Sequence, residues 1–241
     1  MKQKPLFIFL FLLNLCLFFI FFVTNHFPKP LMLVNFLSSL SLWIYVLKNP
    51  YKKFKTETLI AMVLFLVTII VGLYRVEEIT PGMYGDEVTL GRYALKTIQL
   101  EEAPPFYGEY SHPTPLLYLA GASIEALGRR PLAVKLPSII LGAVSVAAFF
   151  VLLRLFFKNF YAAIGAVLFL TSYSNVVLYR LGYEMPGTVL FFILTAIFFK
   201  LTTVGKNPQY VLGLGLSLAG GLYTYLSFRP FFLVMGTIIC L

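Results

Sequence analysis

The chain has 241 residues, of which 59% are hydrophobic and only 12% charged, with 25 Phe, 15 Tyr, a mean hydropathy of +0.87 and a net charge of +9. Soluble globular domains are close to half apolar and a quarter charged, so these values exclude that class and leave an integral membrane protein with room for about seven or eight spans of roughly 20 residues. The positive balance falls between apolar runs, which points to membrane topology and away from nucleic acid, and Cys16 and Cys240 sit in apolar runs at opposite ends, so no disulfide or zinc framework is available.

Lys2 and Lys4 precede an apolar run over residues 6–23 with no small-residue cleavage site after it, and this reads as a retained anchor. A turn at Pro28-Lys29-Pro30 leads to a second run over 31–47. The cluster Lys48, Lys52, Lys53 and Lys55 then marks a cytoplasmic loop. Residues 1–56 are therefore read as two N-terminal transmembrane helices, with the N-terminus cytoplasmic. A third run, 59–74, crosses outward and delivers the one long polar stretch, 75–112, to the far side.

That stretch carries Tyr84-Gly85-Asp86-Glu87, two adjacent carboxylates beyond the turn at Pro81-Gly82. Isolated, such a pair is most often a solvated turn. After Glu87 the apolar positions Val88, Leu90, Tyr93, Ala94, Ile98 and Leu100 fit a short helix on the membrane surface, ended by Ala103-Pro104-Pro105. Residues 113–127 are short for a span and carry Glu125. If they lie in the interface, 136–153 crosses inward, 160–178 outward, 188–199 inward and 210–226 outward. The inner side then holds ten basic residues against the single acid Glu57, which is the whole net charge of +9, and the outer side is neutral. The same arrangement gathers Asp86, His112, Lys135, Arg180, Glu184 and Arg229 on the outer face, so the far-side loop over 75–135 is expected to hold interfacial helices and the site.

Gly85-Asp86-Glu87, Ser111-His112-Pro113-Thr114-Pro115-Leu116-Leu117-Tyr118 and Lys135-Leu136-Pro137-Ser138-Ile139-Ile140-Leu141-Gly142, in this order, resemble the polyprenyl-phosphate-sugar-dependent glycosyltransferases of GT-C type. That family includes dolichyl-phosphate-mannose protein mannosyltransferases and aminoarabinose transferases acting on lipid A. Tyr179-Arg180-Leu181-Gly182-Tyr183-Glu184 and Gly221-Leu222-Tyr223-Thr224-Tyr225-Leu226-Ser227-Phe228-Arg229 look like its later motifs. The resemblance implies an all-α transmembrane bundle over 57–241. It implies an inverting transfer from a polyprenyl-phosphate sugar to a protein, lipid or glycan acceptor outside the plasma membrane.

In such a transfer one carboxylate takes the acceptor proton while cations meet the departing lipid phosphate. Asp86 is the candidate base, with Glu87 orienting the acceptor or tuning it. Lys135, Arg180 and Arg229 are the candidate phosphate ligands, although relatives usually carry Arg where Lys135 stands, and Lys cannot clamp a phosphate bidentately. Glu184 is a second acid, with a helix-end pair to Arg180 as its plain alternative. His112 is a site residue, or with Pro113 the cap of the interfacial helix. Tyr84 either stacks on sugar or belongs to the interfacial belt.

No cofactor is expected; a divalent metal on Asp86, Glu87 and His112 is chemically feasible but the spacing carries no metal signature. The rival readings are a non-catalytic membrane subunit of the same fold and, less well matched, a transporter, since the spans are nearly free of central charge. The chain stops inside an apolar run opening at Phe231, and family members are typically longer, so a fragment is the expectation.

Overall fold

The computed structural model describes residues 55–79, 82–99, 106–108, 112–205 and 207–240. Apart from Gln99 these belong to one compact unit, Lys55–Ile98 with Phe106–Leu241. The two spans expected within residues 1–56, and the Pro104-Pro105 stop, lie outside the described residues.

The order is α1 (Lys55–Leu73), α2 (Gly85–Gln99), β1 (Phe106–Tyr107), β2 (His112–Pro113), α3 (Thr114–Leu127), α4 (Pro131–Arg154), α5 (Asn159–Thr171), α6 (Tyr173–Arg180), α7 (Met185–Val204), α8 (Pro208–Leu222) and α9 (Phe228–Cys240). Among the described residues three helices, α1, α4 and α7, are each long and apolar enough to cross a membrane. The chain is an all-α membrane protein. With 14 residues, α3 reaches only about 21 Å at the helical rise, short of a hydrocarbon core of roughly 30 Å.

The hub is α4, against which α1, α3, α5, α6 and α7 all pack. Toward its N-terminus, Ala133 and Val134 join Leu90 and Ala94 of α2 and Leu116, Leu117, Ala120 and Ile124 of α3 in one buried cluster. Further along, Val146 and Phe150 pack with Leu64 of α1 and with Ala162, Ala166 and Leu170 of α5.

Two expectations are corrected. The run expected as one span over 160–178 is not one straight helix but two, α5 and α6, bent by 61° at Ser172, although together they still have the length and apolarity of one broken span. The cause is local. Thr171 Oγ1 donates to Val167 O at 2.9 Å, and Ser172 Oγ and Asn175 Nδ2 both donate to Phe169 O at 2.9 and 3.1 Å, so side chains take carbonyls the helical ladder would use. Likewise the run expected to cross over 210–226 is helical only to Leu222, in the 15 residues of α8, which is not among the helices long and apolar enough to cross a membrane, and α9 opens at Phe228 rather than at 231. Phe228 is fully buried, its ring lying where any side chain at Gly221 would have to go. The turn between is held by Tyr225 N donating to Thr188 Oγ1 at 3.0 Å.

The polar contacts sort by end of the bundle. At one end Arg180 donates to the C-terminal carbonyls of α1, Val71 O at 3.1 Å and Tyr74 O at 2.9 Å. There too Arg130 grips Glu77 with two bonds of 2.8 and 3.0 Å, and Glu77 also accepts from Leu132 N in the first turn of α4. At the other end Arg154 pairs with Glu57 at 3.2 Å, and Lys200 lies 5.1 Å above the Phe156 ring.

Helices α4 and α6 meet at Gly142, where an added Cβ would collide with Cβ of Tyr179, an atom that no rotamer change can move. Gly142→Ala is expected to cost about 1–3 kcal/mol through forced separation of the two helices, read as a lower melting temperature in detergent. Arg130, by its hydrogen bonds, holds the Glu77 carboxyl below its ordinary value of 4.5. A lowered carboxyl contributes stability above its unfolded pKa and loses it as the pH falls through the folded one. The melting advantage of wild type over Glu77→Gln is therefore expected at neutral pH and to shrink away as the pH falls below the ordinary carboxyl value of 4.5 and through the lowered one.

Candidate functional site

Helix α2 opens with the two adjacent carboxylates. Successive helical residues are turned by about 100°, and that rotation gives the two acids different surroundings. Glu87 shares a face with Leu90, Gly91, Ala94 and Thr97, all buried, and is itself 1% exposed. Asp86 faces out.

The Glu87 carboxylate is held on every side. Its Oε2 accepts from Tyr84 N at 2.8 Å, which closes the start of α2, and its Oε1 accepts from Gly182 N at 2.6 Å. Lys135 of α4, fully buried, brings Nζ to 3.9 Å from the same Oε1 and to 3.5 Å from Val76 O. One helical turn on, Ser138 Oγ donates to Tyr183 O at 2.8 Å and accepts from Tyr183 N at 3.0 Å. Gly182 lies so close to α4 that a side chain there would press on Val134. The segment between α6 and α7 is thus fastened to both α2 and α4.

Beside it opens a cavity of about 630 Å³ lined by Asp86, Thr89, His112, Pro113, Tyr183, Glu184, Thr224, Tyr225, Leu226 and Arg229. The β1–β2 ribbon, Phe106 opposite Pro113 and Tyr107 opposite His112, carries His112 into this wall. His112 Nδ1 donates to Glu184 Oε1 at 2.6 Å, since a carboxylate offers only lone pairs, and both groups are buried. Tyr93 of α2 packs its ring 5.4 Å from the imidazole and meets Tyr107 edge-on. Phe106 stacks on Tyr223 with 5.9 Å between centroids, and the Arg229 guanidinium sits 5.5 Å from the Phe106 ring centre. Tyr183 and Tyr225 lie 5.7 Å apart. Burial first, then Tyr225, Asp86 and Glu184, push the Tyr183 phenol well above its usual value, so it stays a neutral hydroxyl.

Of the residues singled out from the sequence, Asp86, His112, Glu184 and Arg229 come together around this cavity. Glu87 and Lys135 lie behind the wall, paired with each other, and Arg180 is occupied by the carbonyls ending α1. Tyr84 is 66% exposed and not among the lining residues. Two of the plainer alternatives are corrected. His112 does not cap α3, whose N-cap is Pro113 without a side-chain cap bond, and Glu184 pairs with His112 instead of Arg180.

The lining residues not singled out as site residues are Thr89, Pro113, Tyr183, Thr224, Tyr225 and Leu226. Thr89 stands three residues after Asp86 and so on its side of the helix, a signal the sequence did carry. Among the described residues no three or more His, Cys, Asp or Glu side chains are gathered as a metal site.

The sequence model of the dolichyl-phosphate-mannose-protein mannosyltransferase family matches residues 111–239, just over half of the chain. His112, Lys135, Arg180, Glu184 and Arg229 fall inside that match, and Asp86 and Glu87 precede it. Comparison with curated proteins and with solved structures gives no match. The family match, on an array of apolar helices with a polar cavity at one end, makes this chain a member of the dolichyl-phosphate-mannose-protein mannosyltransferase family, GT-C membrane glycosyltransferases that draw on polyprenyl-phosphate sugars.

Proposed function

We propose that the chain transfers a sugar from a polyprenyl-phosphate carrier to an acceptor hydroxyl on the extracytoplasmic side of the plasma membrane, with inversion and with Asp86 as the base. The observation that carries this reading is that an outward-facing carboxylate, Asp86, and a guanidinium, Arg229, line one cavity of about 630 Å³ at the end of membrane-spanning helices. That volume suits a monosaccharide and its phosphate. A donor tethered by an isoprenoid tail must be met at such a membrane face.

The chemistry is a single displacement. The acceptor oxygen attacks the anomeric carbon while Asp86 takes its proton. The bond from that carbon to the phosphate oxygen breaks, and the lipid phosphate leaves with the electron pair. Arg229 meets that developing charge with paired N–H donors. His112, oriented by Glu184, and the neutral Tyr183 hydroxyl supply further donors around the sugar and phosphate. Proteins, lipids and glycans all offer the acceptor hydroxyl, and mannose is the sugar that the family's name suggests. No resident metal or organic cofactor has a part in this scheme.

The sidedness rests on the distribution of charge. Arg154 and Lys200, two of the ten basic residues assigned to the inner side, stand at the bundle end opposite to the cavity, with Glu57 as their only assigned acid. That supports a cytoplasmic placing of that end.

Transfer from radiolabelled polyprenyl-phosphate sugars, measured in membranes carrying the chain, tests the proposal. Asp86→Asn is expected to lose on the order of a hundredfold or more in kcat at unchanged protein level; retained activity, or no transfer by wild type from any of a broad donor set, overturns it. Arg229→Met is expected to raise the donor KM by about tenfold or more, as the loss of a charge-assisted contact does.

A further inference from the structure

The sequence marks Glu87 and Lys135 as acid and phosphate ligand, yet neither has a surface to offer: Glu87 is 1% and Lys135 0% exposed. An ionised pair this deep needs partners on every side, or its desolvation is not offset. Glu87 has them from three different parts of the chain: Tyr84 N ahead of α2, Gly182 N between α6 and α7, and the Lys135 ammonium of α4. Glu87 itself and its partner Gly182 are each next to lining residues. Asp86 directly precedes Glu87, and Tyr183 and Glu184 directly follow Gly182. Ser138, one turn after Lys135, fixes Tyr183 through both its N–H and its carbonyl.

We propose that Glu87 and Lys135 are together positioning residues that hold the Asp86 wall of the cavity at its distance from the Tyr183–Glu184 wall, and that neither touches donor or acceptor. This rests on the proposed function only for the meaning of that distance, not for the pair itself. A carboxylate with both oxygens bound to backbone N–H groups of separate segments sets their spacing to a few tenths of an ångström. Removing one member strands the other charge in the interior. Removing both removes the stranded charge as well, so the two losses must not multiply.

Donor kinetics and thermal unfolding in detergent are measured for Glu87→Gln, Lys135→Met and the double variant. Each single change is expected to lower kcat about tenfold or more with donor KM within about twofold. The double variant is expected to be no worse than the poorer single one, in rate and in melting temperature. A Lys135→Met variant with a raised donor KM, or losses that multiply in the double variant, overturns the proposal and returns Lys135 to the lipid phosphate. Should the single variants fail to fold, Glu87→Asp serves: it keeps the charge beside Lys135 but cannot span to both N–H groups. Its kcat is expected to fall at unchanged KM, and a normal kcat overturns the proposal. If wild type transfers no sugar at all, the functional reading fails separately, and the melting cycle decides alone: additive shifts overturn the pair and non-additive shifts support it.

Discussion

A carboxylate cannot remain ionised in an apolar interior unless the protein surrounds it with donors, and much of this molecule is arranged to meet that demand at Glu87. The chain between α6 and α7 approaches closely enough to donate from Gly182, α4 supplies an ammonium, and the start of α2 folds back so that Tyr84 donates as well. A helix, a loop and a membrane-spanning segment distant in sequence are tied at one atom group. The cavity is what this convergence leaves at its outer side.

The architecture was legible because a bilayer imposes it. Apolar runs of span length and the placing of Lys and Arg between them yield α1, α4 and α7, and the shortness of residues 113–127 yields an α3 too short to cross. The break at Ser172 was not read, although Thr171, Ser172 and Asn175 form a local cluster that competes for carbonyls. Hydropathy averages over such polar residues. The two-residue strands were invisible for a related reason: their pairing depends on contacts of Phe106 and His112 with distant aromatics and with Glu184, which no local pattern encodes.

For the site, residue types were readable and surroundings were not. Asp86 and Glu87 look alike in sequence, and only the helical rotation together with what lies against each face separates them. Arg180 and Arg229 were likewise equivalent as charges at the outer ends of helices. Tertiary packing gives one the carbonyls of α1 and sets the other over Phe106 at the cavity. The ribbon that presents His112 stands on the aromatic pair Tyr93 and Tyr107, so the imidazole's place depends on α2 as much as on its own strand.

The cap that Arg180 places on α1 has a consequence for the order of assembly. The carbonyls of Val71 and Tyr74 leave the ribosome more than a hundred residues before the guanidinium that serves them. Until α6 has been made and delivered to the same side, the C-terminal end of α1 must find its hydrogen bonds in water and lipid headgroups. Closure of the α1 end therefore reports that α4, α5 and α6 have already been threaded, which makes it a late event of biogenesis in one of the first helices of the bundle to be synthesised.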